Sequence, residues 1–91
     1  MNNPLQEIQQ KYDELCHEFE EKYSGIELPQ LDEEGSNLLI SCLKTKLELK
    51  RMTTSEWAFK RSHEPVIKYQ IGLVENHIRE YKFHKRLGVK A

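Results

Sequence analysis

SNLLISCLKTKLELKRM, residues 36–52, is the stretch whose reading decides the fold. Its apolar residues recur at three and four positions, the period of an α-helix, but they form two stripes. Leu38, Cys42, Leu49 and Met52 share one side. Leu39, Leu43 and Leu47, with Ile40 beside them, share another. Together the stripes cover about two-thirds of the circumference at 3.6 residues per turn. A helix apolar that far round is buried on more than one side. It is either a central helix between two others or a helix with one side against a second copy or a protein partner. A monomeric three-helix bundle needs one stripe per helix, so the excess predicts a homo-oligomer or a protein partner.

Upstream, Leu5, Ile8, Tyr12, Leu15, Phe19 and Tyr23 fall in one narrow stripe of a first helix over about residues 3–24. Asn3 is placed to cap it, Pro4 suits its first position and Gly25 suits a left-handed stop. Pro29 and Gly35 break the periodicity, which predicts a linker over 25–35, with the second helix starting at Ser36 or Asn37. Downstream, Thr53 to Glu56 reads as a capping box, and Ser62–Pro65 as a new helix start or a kink. Ile67, Ile71, Val74, Ile78 and Tyr81 then repeat as a heptad seam to about Leu87, before Gly88. Val66, Tyr69, Leu73 and Leu87 add a weaker second side. The expected architecture is all-α. Residues 1–91 form one helical domain: an acidic amphipathic helix (1–24), a linker (25–35), and a basic helical hairpin or kinked long helix (36–87).

Ninety-one residues allow one domain and exclude barrel-sized catalytic folds, which need roughly 200 residues or more. No apolar run approaches the ~20 residues that cross a membrane. The opening residues lack the pattern of a secretory signal, so a cytoplasmic protein is expected, with Cys16 and Cys42 as reduced thiols. Net charge is −1, but it hides an asymmetry. Residues 1–35 carry two bases and ten acids, and residues 36–91 carry twelve bases and five acids. This split predicts that the acidic helix docks across the basic pair or across a neighbouring subunit.

No motif points to catalysis. The glycines are scattered singly, so there is no phosphate-cradling loop, and there is no nucleophile elbow or zincin pattern. Glu14 and His17 have a di-iron spacing, but they face away from the apolar stripe and lack a matching second pair. Cys16 and His17 are adjacent and diverge on a helix; Cys42 reads as a small core hydrophobe. A non-enzymatic protein without cofactor or metal is expected, one that self-associates and binds another protein as an adaptor or inhibitor. Its partner-facing residues would be Trp57, Phe59, Leu38, Leu49 and Met52. Of Trp57 and Phe59, which point in divergent directions, Trp57 is expected in a core or subunit interface. The alternative is nucleic-acid binding through the basic pairs Lys50-Arg51, Lys60-Arg61 and Lys85-Arg86 with interleaved aromatics. A third reading places a small anionic ligand beside Arg51, Lys60 and Arg61 at a subunit interface.

Overall fold

The computed structural model describes residues 3–86. Helix α1 spans Pro4–Tyr23. The Asn3 side chain accepts the Leu5 amide at 3.0 Å, and Pro4 occupies a position whose N–H needs no partner. Gly25, at φ 78°, takes the left-handed turn that ends the helix region. A short 3₁₀ turn, Leu28–Gln30, then carries the chain to Leu31, which is 2% exposed.

Helix α2 spans Glu33–Thr53, so it starts three residues before Ser36. The linker is correspondingly shorter. The reason is Asp32, whose carboxylate accepts the Gly35 amide at 2.7 Å. Glu33 and Glu34 then sit in the first turn, where the helix dipole favours negative charge. Gly35 is therefore inside the helix. A Cβ there would stand 2.8 Å from the Tyr23 ring, so the missing side chain is what lets the end of α1 approach the start of α2.

The expected capping box at Thr53 does not form. Thr53 and Thr54 turn their hydroxyls back onto the carbonyls of Leu49 and Lys50, closing α2. Ser55 caps the next helix instead, accepting the Ala58 amide at 3.2 Å. That helix, α3 (Glu56–Ala58), runs through a single π turn, Phe59–His63, into α4 (Glu64–Arg86). Pro65 falls in the first turn of α4, where its missing donor is tolerated. The widened turn before it puts the start of α4 at Glu64, inside the Ser62–Pro65 stretch where a new helix or a kink was expected. Leu87 and Gly88 lie outside the described residues.

Two antiparallel hairpins share α2. Leu5 and Thr53 line one groove, Cys16 lies beside Cys42, and Tyr23 meets Gly35. Each of these pairs is equidistant in sequence from Pro29, so α1 and α2 fold back about that residue in constant register. On the other flank, Lys82 pairs with Glu33 at 3.2 Å and Arg51 with Glu64 at 3.8 Å. Those pairs are symmetric about Trp57–Ala58. Near the first hairpin's turn, His77 Nε2 donates to the Leu31 carbonyl at 2.8 Å.

Helix α2 is thus central. Gly35 and Thr53, which face α1, are five turns apart; so are Glu33 and Arg51, which face α4. The two lines lie roughly 160° apart around the helix. The two apolar stripes of residues 36–52 therefore serve two neighbours within the same chain and carry no separate evidence for a second copy. The core consists of Leu31, Cys42, Leu49, Phe59, Ile67, Ile71 and Val74. The seam expected on the last helix supplies three of these, with Ile78 and Tyr81 half-buried below them. α1 packs against α2, barely touches α4 and contains no buried residue.

The charge split is not closed by docking α1 onto the basic helices. Among the described residues, the Lys22–Glu18 ion pair at 3.4 Å and the His17–Glu21 contact at 3.1 Å are both internal to α1. Lys82–Glu33 is the one described pair that joins residues 3–35 to the rest.

Candidate functional site

Trp57 sits at the apex of the second hairpin. A residue at a hairpin turn has no facing helix, and Trp57 is 69% exposed, so of its two expected places, core or subunit interface, the core of this chain is ruled out. Phe59, two residues on, points the other way and is 3% exposed. Arg61, one helical turn beyond Trp57, lies over the indole at 5.2 Å, and Arg51 lies over Phe59 at the same distance. Around the indole the surface is formed by Glu56, Lys60 and Arg61.

A second exposed apolar group lies along α4. Val66, Tyr69 and Leu73 follow a three-then-four spacing and are 54%, 68% and 44% exposed. They are turned roughly 130° from the buried Ile67, Ile71 and Val74. Gly72 lies beside them, and a Cβ there would meet nothing within 4 Å. Phe83, also exposed, stands apart from this row, with Asn76 and Glu80 between them on the same face. This is the second side that the sequence marks with Val66, Tyr69 and Leu73, and it is exposed rather than packed.

The expected partner-facing residues do not form one surface. Trp57 and Met52 are exposed, Leu38 is half-buried, and Leu49 and Phe59 are core. The last two support the fold and offer nothing to a partner. The basic residues are also divided. Lys60 pairs with Glu56 at 3.1 Å, while Arg51 and Lys68 share Glu64. Lys50 is half-buried and Lys85 exposed near the far end of α4, next to Arg86, the last described residue. Glu56 and Glu64 thus place carboxylates inside the region where phosphate would have to bind.

The α1–α2 interface brings together two thiols that sequence reasoning treats separately. Cys16 is half-buried and Cys42 buried. Both line a concavity of about 160 Å³ with Tyr12, Phe19, Leu39 and Leu43. Burial, then the adjacent Cys16, pushes the Cys42 thiol up to about 11. Burial and contact with Cys16 likewise raise the Tyr12 phenol to about 12. The signal for this pairing is the shared distance of Cys16 and Cys42 from Pro29, which becomes legible once the two helices are known to be antiparallel.

A wider groove, about 600 Å³, runs between the start of α1 and the end of α2 past Leu5, Gln9, Asp13, His17 and Thr53. It is open and brings no nucleophile together with a base. Among the described residues no three His, Cys, Asp or Glu side chains converge on a metal position, and no helix is long and apolar enough to cross a membrane. No family model, curated protein or solved structure matches the chain.

Proposed function

We propose that this chain is a non-enzymatic helical interaction protein that self-associates and, as an adaptor or inhibitor, docks onto another protein. The observation that carries this reading is the exposed row Val66, Tyr69 and Leu73 on α4, with Trp57 exposed at the neighbouring hairpin apex. Apolar and aromatic side chains gain most from association when they are already held on a rigid helix, because little conformational entropy remains to be lost. Trp and Tyr are the residue types that dominate interface energies. The first partner is a second copy, since the unneutralised acidic face of α1 and the basic surface of residues 36–86 are complementary between copies.

Light scattering behind size exclusion tests this directly. A mass well above 10.8 kDa that falls towards it in Tyr69→Asp is the expected result. A monomer at all concentrations, with no protein captured in a pull-down, overturns the reading. Nucleic-acid binding through Lys50, Arg51, Lys60, Arg61, Lys85 and Arg86 is the second reading, favoured by Trp57 lying exposed beside Arg61. It predicts a steeply salt-dependent shift with single-stranded DNA or RNA that weakens in Lys60→Ala/Arg61→Ala.

A further inference from the structure

We propose that Cys16 and Cys42 form a reversible dithiol–disulfide site that pins α1 to α2. Three observations converge on this pair. Both thiols face the α1–α2 interface. They occupy matched positions in the antiparallel register, so holding them together requires no slip of α1 along α2. They also line one small concavity, through which the half-buried Cys16 can be reached while Cys42 stays covered. The site is independent of the self-association proposed above.

The order of events is set by exposure. The Cys16 thiolate attacks a small aliphatic disulfide of the glutathione type, giving a mixed disulfide and releasing one thiolate. Cys42 then loses its proton and attacks the Cys16 sulfur, expelling the second thiolate. Two protein thiols are oxidised, one small disulfide is reduced to two thiols, and the two protons pass from the protein to those products. The raised pKa of Cys42 makes the second step slow at neutral pH and faster as the pH rises. The consequence falls on α1, which has no buried residue and depends on its contact with α2. Closing a loop of this length lowers the detached fraction of α1 by roughly 30- to 1,000-fold, the range typical of a native disulfide.

The test equilibrates the full chain in reduced and oxidised glutathione, quenches with acid, labels free thiols with a maleimide and measures intact mass. The expected product is a single chain, two hydrogens lighter and unlabelled, whose unreduced digest joins the Cys16 and Cys42 peptides and which dithiothreitol reverses. Amide exchange along α1 should slow on oxidation, with α4 unchanged. In Cys16→Ser, α1 exchange should match the reduced chain and ignore oxidised glutathione. Stable glutathione adducts, disulfide-linked chains or two labelled thiols at oxidising poise overturn the site. Unchanged α1 exchange in the cross-linked chain, or a response that persists in Cys16→Ser, overturns its role.

Discussion

At the scale of single residues, burial decides what each aromatic contributes. Trp57 and Phe59 are separated by two positions, about 200° on a helix, so one must face out when the other faces in. Phe59 fills the junction of α2 and α4, and Phe59→Ala should cost about 3–5 kcal/mol. Trp57→Ala loses only an exposed stack with Arg61 and should cost less than about 1 kcal/mol, while weakening self-association. Urea unfolding of the two variants separates these effects. Ser36 presents a different case: it is fully buried, and its hydroxyl has no hydrogen-bond partner among the described residues. Ser36→Ala removes that desolvated group and should be neutral or stabilising by up to about 1 kcal/mol. Titration supplies the third residue-scale prediction. Cys42 and Tyr12 hold their protons more tightly folded, at about 11 and about 12, than at their ordinary values of 9.0 and 10.0. The unfolded chain therefore releases protons first, and stability, full below about pH 9, falls as the pH rises through 9–12. Tyr12→Phe and Cys42→Ala should each flatten that decline in alkaline unfolding curves.

At the scale of elements, α1 and α4 differ in what anchors them. α4 contributes Ile67, Ile71 and Val74 to the core, adds the His77–Leu31 hydrogen bond and pairs Lys82 with Glu33. α1 lies on α2 with a half-buried stripe and, among the described residues, packs mainly against that helix. Amide exchange of the reduced chain should therefore find α1 opening by a local path well below the global unfolding free energy, with α4 near it. Equal protection of the two helices would contradict this ranking. The cap at Asp32 is also local, and Asp32→Ala should cost about 1 kcal/mol and fray the first turn of α2. The helices and the buried seam were legible in the sequence because periodicity reports which side is apolar. Asp32 was hidden by Gly35, a residue that reads as a breaker but here serves close approach to Tyr23. The double stripe of α2 was legible as burial, not as burial by whom, since periodicity carries no information about whether a neighbour belongs to the same chain. The sequence left Trp57 open between a core and a subunit interface because hydrophobicity marks a residue for burial wherever it stands, whereas its position at the hairpin apex depends on the register of α2 against α4.

At the scale of the whole molecule, the open layer of helices leaves more surface than a compact fold would. The radius of gyration is 15.2 Å, against about 12 Å for a compact chain of this length. The accessible area is 6852 Å², against about 5,500 Å² for a compact monomer of 10.8 kDa. Val66, Tyr69 and Leu73 are part of this surface, so a second copy would reach them without any helix leaving its place. This fixes how the association should respond to mutation. Leu43 and Leu47 are half-buried within the chain, so an aspartate at either should unfold the monomer and would say nothing about an interface. Leu73 and Tyr69 are exposed, so Leu73→Asp and Tyr69→Asp should keep the helical circular dichroism and the urea midpoint of the monomer while lowering the mass seen by light scattering. If opposite charges on α1 and the basic helices steer the two copies, the association rate should also fall with added salt, most steeply below about 0.1 M. Variants that unfold together with losing mass, or that retain the full mass at every concentration, would place the contact elsewhere than on the exposed side of α4.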